Sequence, residues 1–560
     1  AVVLAQALNL DAADVEDKLD ELERAYGLVR MVAEKEFPDQ TLTMRYRFVH
    51  ALYQNALYAS LKPARRAAIS KAVANSLLGF HRDKVAPIAV NLAVLFEAAR
   101  DFASAADYCV MGAKNSMQVA AFKESLSLAR RGLELLKSLP ESDERAQKEM
   151  TLQHILGASV VAFKSGASPE ILPAFLRARE LAEQLGDQRM RFRVEYSLVW
   201  TYFSLGQVEK AYAQTDIALR LADEMQDTGV LLQAYYIKGC LTGRRGEFVT
   251  AREHFEKAVA LHDIRVHAAN IYVYASDGGS HSFSQLARAL WLLGFPDQAL
   301  TRFDQALAVV EQIPHPVAKV HVFVDGISVY SHYEQPEKVL EFAEKIIALC
   351  SESGLAMIVY GLFSRGYAIA KLGKQEEGLA AMRQAMGMMR AAKNILTLPS
   401  LAVAFSESLN EAGLGAEVLG VVDESLGIIK MTGEQTPEAE LRRLKGEALA
   451  LLANAETDAD AAQAREAEAE ACFREALSVA RLQQAKSYQL LTAMSLYRLH
   501  RKQGRPDEAR QLLSEIYNSF TEGFDTPDLK MAKQYLESSP GDNDEPPTKR
   551  LKPIAKPLDK

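Results

Sequence analysis

The chain has 560 residues, 49% of them hydrophobic and 25% charged, with a formal net charge of −8. That is too long for one hydrophobic core and ordinary for a soluble globular chain, so several domains or a repeat array are expected. The acidic balance excludes a chain that coats nucleic acid wholesale, and no run approaches the ~18 apolar residues of a membrane span.

The first ten residues, AVVLAQALNL, lack a methionine start and a basic region. They predict a piece of a longer protein rather than a signal peptide. From Asp11 to Ala25 the residues Val15, Leu19 and Leu22 share one face, with Asp11 as N-cap and Gly27 as C′ glycine, which predicts a helix. Two strand-like runs follow, LVRMVAEKEF and TLTMRYRFVH, joined by PDQ. Helix, hairpin wing, then helices give a winged-helix outline.

The stretch Thr43–Arg66 interleaves Tyr46, Tyr53 and Tyr58 with Arg45, Arg47, Arg65 and Arg66, a pattern that can mark a nucleic-acid surface. The candidate recognition helix argues otherwise. It carries Asp11, Asp14, Glu16, Asp17, Asp20, Glu21 and Glu23 against only Lys18 and Arg24, and a duplex would repel it. We therefore expect a wing and a docking helix joining two protein parts, with at least one of Tyr53 and Tyr58 packed. His50, leading into an apolar helix with no nucleophile beside it, reads as a helix-start or core histidine.

Beyond residue 100 the chain repeats. Tyr235–Leu261 has Gly239 mid-helix, Gly246 as a break, and Ala251, Phe255 and Ala258 at steps of four and three. This is the tetratricopeptide (TPR) pattern, in which two antiparallel helices approach closely where a small residue faces the partner. The slot held by Ala251 recurs at Ser125, Ile171, Ala211, Ala299, Val339, Gly378, Val418, Ala469 and Ala509. The spacing stays near 40, with longer intervals at Ser138–Arg145, Ala275–His281 and Ala455–Ala464. The fold expected is all-α, a TPR-like right-handed α-solenoid (superhelix) of about nine or ten helix pairs, preceded by a small winged-helix-like α+β domain. Its segments are 1–80 for the winged-helix-like domain and docking helices, 81–100 for a linking helix and 101–520 for the superhelix. Asp525-Thr526-Pro527-Asp528 starts a capping helix within 521–538, and the Pro-rich, basic 539–560 is expected to be disordered.

Motifs of chemistry are missing. Leu372–Gln375 (LGKQ) lacks the glycine spacing and hydroxyl residue of a phosphate loop, and no GxSxG, HExxH or dinucleotide fingerprint occurs. Cys109, Cys240, Cys350 and Cys472 lie far apart, as isolated thiols in a reducing cytoplasm would, and offer no zinc site. No enzyme activity is expected within this chain.

A TPR superhelix binds along its concave face, lined by the first helix of each unit. Counting back from the repeating slot places Arg193, Tyr196, Trp200, Tyr236, Arg244, His281, Arg288, Trp291, His321, His332, Tyr360 and Tyr367 there, including both tryptophans of the chain. Aromatic, Arg and His groups suit a peptide or a small anionic or planar ligand. The alternative is that the large rings fill gaps between longer helices.

Glu440–Leu452 with Ala469–Leu536, including QGRPDEAR and FTEGFDTPDL, and the N-terminal DVEDKLDELERAYGLVR with YRFVHALYQNALYASLKPARRAAIS, carry a resemblance. They look like the C-terminal half of bacterial STAND-type signalling ATPases, often joined to class III adenylate/guanylate cyclase domains. The resemblance implies a cytoplasmic regulatory arm. In it a TPR superhelix senses a protein, a peptide or a small-molecule effector, and a winged helix relays the state to an NTPase module. ATP and Mg²⁺ would belong to that module, whose motifs are absent here, so no cofactor is expected in this chain. DNA and membrane partners are not expected.

Overall fold

The computed structural model describes residues 1–119, 121–163, 168–267, 270–274, 277–392 and 394–538, so the tail expected to be disordered lies outside the described residues. It divides into two compact units, Ala1–Phe163 with Pro169–Arg191, and a second running from Phe192.

The first unit opens with α1 (Val2–Leu8) and α2 (Ala12–Arg24), then the strands β1 (Val29–Glu36) and β2 (Leu42–Phe48). Asp11 caps α2, its carboxylate accepting from the Ala13 amide at 2.8 Å. The strands pair antiparallel from Val29↔Phe48 to Glu36↔Leu42, and the Tyr46 hydroxyl ties the hairpin to α2 by donating to Asp20 at 2.8 Å. Then come α3 (Ala51–Ser60), α4 (Pro63–His81), a single 3-10 turn at Ala86–Ile88 and α5 (Ala89–Ala98). The repeats α6 (Phe102–Gln118), α7 (Phe122–Leu136), α8 (Asp143–Phe163) and α9 (Ile171–Leu185) follow.

His50 is the N-cap of α3 and accepts from the Leu52 amide, a helix-start role. The packing expected for Tyr53 or Tyr58 is not found: each is 46% exposed, and α3 buries no residue. Its large apolar residues Leu52, Tyr53, Leu57 and Tyr58 stay exposed, with only the Arg66 guanidinium of α4 over the Tyr58 ring among the described contacts.

The second unit continues with α10 (Gln188–Ser204), which begins in the first unit, then α11 (Val208–Met225), α12 (Thr228–Arg244) and α13 (Phe248–Leu261). Two short helices, α14 (Ile264–His267) and α15 (Asn270–Tyr274), precede α16 (Gly278–Leu292) and α17 (Pro296–Val310). Next are α18 (Pro316–His332), α19 (Pro336–Ser353), α20 (Ile358–Lys371), α21 (Gln375–Ala391), α22 (Leu398–Glu411) and α23 (Gly415–Thr432). The chain ends in α24 (Glu438–Ala455), α25 (Ala459–Leu482), α26 (Lys486–Lys502), α27 (Asp507–Tyr517) and α28 (Pro527–Glu537).

The helices pair as a TPR-like α-solenoid. Every slot from Ser125 to Ala509 falls in the second helix of a pair and is buried, the weak matches Ile171, Val339, Gly378 and Val418 included. Ser125 fits because its hydroxyl donates to the Ala113 carbonyl at 3.0 Å, so no polar group is stranded. Gly378 marks a close backbone crossing: a Cβ there would stand 2.4 Å from the Gly366 carbonyl oxygen.

The longer intervals have structural forms. Extra residues before α16 fold as α14 and α15, while Gly278 and Gly279 begin α16 behind the N-cap Asp277. Ala275 and Ser276 lie outside the described residues. The Ala/Asp-rich segment lengthens α25 to 24 residues behind the N-cap Asp458.

Within the second unit the late repeats seat on the turns of the earlier ones. The 432–436 loop packs across Gly206 and Val208, and its Gln435 amide donates to the Arg244 carbonyl at 2.7 Å. Ser487 donates to the Trp291 carbonyl. Glu522 accepts from the amide and side chain of Gln298, and the Gly523 amide donates to Asp297 at 3.0 Å.

Candidate functional site

The first helices α10, α12, α16, α18 and α20 carry the residues expected on the concave face. Their small residues set the spacing that brings these side chains together. Gly239 lets α12 rest on Phe255 of α13, and Gly326 lets α18 rest on Phe303 of α17.

One continuous row results. Tyr196 of α10 packs against Tyr274 and Trp200, and Trp200 packs against Tyr236 of α12. The Tyr236 hydroxyl meets His281 Nδ1 at 2.6 Å, and His281 Nε2 lies 3.0 Å from Asp325 of α18. His281 thus bridges the tyrosine hydroxyl and the carboxylate. His281 also stacks on His321, ring centroids 4.8 Å apart. Asp325 further accepts from Ser284 at 2.6 Å, from Gln285 at 3.0 Å and from Arg288 at 3.4 Å.

Burial alone would raise the Asp325 pKa. The neighbouring His281 and Arg288 and the Ser284 hydrogen bond outweigh it and hold the carboxyl at about 2. Burial pulls His321 down to about 3, with the stacked His281 adding to the effect. The Cys240 thiol stands beside this network in hydrogen-bond contact with Tyr236, and burial pushes its pKa up to about 12, while the buried His321 Nδ1 has no hydrogen-bond partner among the described residues.

A second group lies further along α16 and α18. Trp291, 4% exposed, stacks on His332 and meets Tyr488 of α26 edge-on. Burial pulls His332 down to about 3. Arg288, Trp291, Leu292, Ser328, Val329, His332, Thr436 and Tyr488 line a cavity of about 30 Å³. That holds a water or two, far below the roughly 300–1,000 Å³ of a preformed small-molecule site.

The remaining expected residues are distributed around these groups. Arg193 is half-buried on α10. Arg244, at the end of α12, lies over the Phe203 ring and pairs with Glu434 at 3.3 Å. Tyr360 on α20 is half-buried, and its pKa is raised by burial, against the effect of hydrogen bonds with Thr397 and Asn394. Tyr367 is buried beneath the Lys371 ammonium.

Sequence reasoning missed Asp325 and Glu434. Asp325 stands one position away from a lining slot, yet a lone acid among Val320, Val322 and Phe323 signals a buried charge. Glu434 lies in a loop 190 residues from its arginine, beyond the reach of any repeat pattern. Among the described residues no cluster of His, Cys, Asp or Glu could hold a metal ion, and no helix is long and apolar enough to cross a membrane. None of the cysteines is paired.

The fold and this lining define a TPR-like helical-repeat protein. No family model and no curated protein matches the sequence. Among solved structures, a Rap protein complexed with competence and sporulation factor covers 77% of this chain and 99% of its own, at 10% identity and TM-score 0.36. A signal transduction ATPase with numerous domains (STAND), with a tetratricopeptide repeat sensor, from Pyrococcus horikoshii covers 85% and 75%, at 13% identity and TM-score 0.37. Yeast Tom70 covers 87% and 93%, at 12% and 0.33. Likenesses at these identities and scores carry no functional argument.

Proposed function

We propose that this chain is a regulatory sensor and protein-interaction arm without catalytic activity of its own. It takes a peptide or protein segment, or a small-molecule effector, in the concave groove and relays that state to the NTPase module of a cytoplasmic signalling ATPase or nucleotide cyclase. The observation that carries the reading is the unbroken row from Tyr196 through Trp200, Tyr236 and His281 to Asp325 and Arg288, contributed by four successive first helices. Tyr196, Tyr236 and Asp325 are buried against their neighbours, so a ligand that opens the row engages several repeats at once. Because each repeat contacts mainly its neighbours, such a ligand shifts the curvature of the whole array. The exposed apolar face of α3 supports a docking role for the first unit, with its hairpin as the relay, and so favours an arm over a stand-alone TPR scaffold.

Trp200 and Trp291 are the two tryptophans of the chain, so intrinsic fluorescence reports this groove directly. A peptide library would be screened against the full chain by native mass spectrometry, and each hit titrated while tryptophan emission is followed. Emission that changes with binding, separable by Trp200→Phe and Trp291→Phe, supports the groove. Hits that bind but leave both emissions unchanged would place binding elsewhere and sink the reading.

A further inference from the structure

The 433–436 loop is held as a bound peptide would be. The Gln435 amide donates to the Arg244 carbonyl at 2.7 Å, and the Gln435 carbonyl accepts from Gln483 Nε2 at 2.8 Å. Thr436 Oγ1 donates to the Gly243 carbonyl at 3.1 Å. The Arg244 carbonyl is an open acceptor because α12 ends there, and the Gly243 carbonyl, which takes the Gly246 amide at 2.9 Å, keeps a second lone pair, so an extended segment can pair with them whatever its sequence.

One contact selects by chemistry. The Glu434 carboxylate, 0% exposed, pairs with Arg244, whose guanidinium is steadied by the Phe203 ring. The fit is incomplete, since Glu434 Oε1 has no hydrogen-bond partner among the described residues. Gln435 is exposed, so the loop lies at the rim of the array, and Thr436 forms a wall of the cavity beside Arg288, Trp291 and His332.

We propose that the end of α12, with Arg244, Gly243 and Phe203, is a recognition point for an extended acidic peptide segment of a partner protein. The chain's own Glu434-Gln435-Thr436 occupies it as an internal stand-in. A partner segment that presents a carboxylate to Arg244 and its backbone to the α12 carbonyls displaces the loop and removes the Thr436 wall of the groove. This rests on the groove reading above and names the partner chemistry and the competition that regulates entry.

The test uses the full chain and a fluorescein-labelled peptide copying Thr432–Glu438. Fluorescence anisotropy should show at least tenfold tighter binding to Glu434→Gln than to wild type, because the competing carboxylate is gone. The same peptide with glutamine at its Glu434 position should lose that gain. So should the Arg244→Gln/Glu434→Gln double variant, which strands no charge. Equal binding to wild type and Glu434→Gln, or binding that persists in the double variant, overturns the proposal. Blocked glutamate that competes as well as the peptide overturns the peptide class, leaving a lone carboxylate site. If Glu434→Gln melts below the assay temperature, Glu434→Asp, which keeps the charge but shortens the reach, carries the same comparison. A library hit that shifts tryptophan emission equally in wild type and Glu434→Gln keeps the groove reading and overturns this one.

Discussion

The His332 imidazole lies parallel to the Trp291 indole, 3.4 Å between ring centroids and 6° from coplanar. Burial holds His332 neutral, with its pKa near 3; Glu407 opposes the shift and Arg288 adds to it. His321 is held near 3 as well, by burial first and then by His281 and His315 against Asp325. In the unfolded chain both protonate near ~6.5, so between about pH 6.5 and 3 the unfolded state binds more protons. Their contribution is fully present above pH 6.5 and is lost as pH falls through that window. Each histidine adds at most about 1.4 kcal/mol per pH unit. Urea unfolding should therefore show clear destabilisation between pH 7 and pH 5, and the slope should flatten in His321→Gln/His332→Gln. A wild-type midpoint that stays level over that range would contradict the buried neutral state.

Asp325 acts in a lower window. Its folded pKa near 2 lies below the ordinary carboxylate value, so its stabilisation is present above about pH 4 and is lost as pH falls through 2. At neutral pH, Asp325→Asn leaves Ser284, Gln285, His281 and Arg288 directed at one neutral amide and should destabilise the second unit by about 3 kcal/mol. Asp325→Glu should lose as much or more, since the added methylene has no room among these partners. Chemical denaturation at pH 7 checks both. A change under ~1 kcal/mol for Asp325→Asn would mean that water replaces the carboxylate there.

Much of the scaffold was legible because close helix crossings demand small residues at fixed intervals. The slots from Ser125 to Ala509 all landed in second helices, since Ser, Gly, Val and Ile satisfy the same steric demand where the local partner is smaller or gapped. The lining of the groove was legible as a set of positions but not as a state. Nothing in a repeat says that Tyr196, Tyr236 and Trp291 are buried against neighbours rather than open to a ligand. Contacts such as Glu434 with Arg244 or Ser487 with Trp291 depend on accumulated curvature over several repeats, which no local pattern encodes.

The crossing logic itself is testable at Gly239. A Cβ there would stand 2.7 Å from Phe255, so Gly239→Ala should destabilise by ~1–2 kcal/mol even after its better helix propensity. Adding Phe255→Leu should recover part of the loss. Gly420 of α23 has nothing within 4 Å of its Cβ position, so Gly420→Ala should stabilise by about 0.5–1 kcal/mol. Urea midpoints of the matched variants decide the matter, and equal effects at the two glycines would remove the steric account.

The last expectation concerns α3. Leu52 and Leu57 are 67% and 50% exposed beside Tyr53 and Tyr58, so their side chains add little to the folding of the chain on its own. Leu52→Ser/Leu57→Ser should shift stability by only about 0.5–1 kcal/mol, mostly through helix propensity. The same change should weaken any association made through this face, because each leucine removed from an interface forfeits roughly 1.5–3 kcal/mol of burial. Thermal melting paired with sedimentation velocity separates the two effects. A loss of several degrees in Tm without a change in association would show that α3 packs within the chain, and the docking role of the first unit would then lose its support.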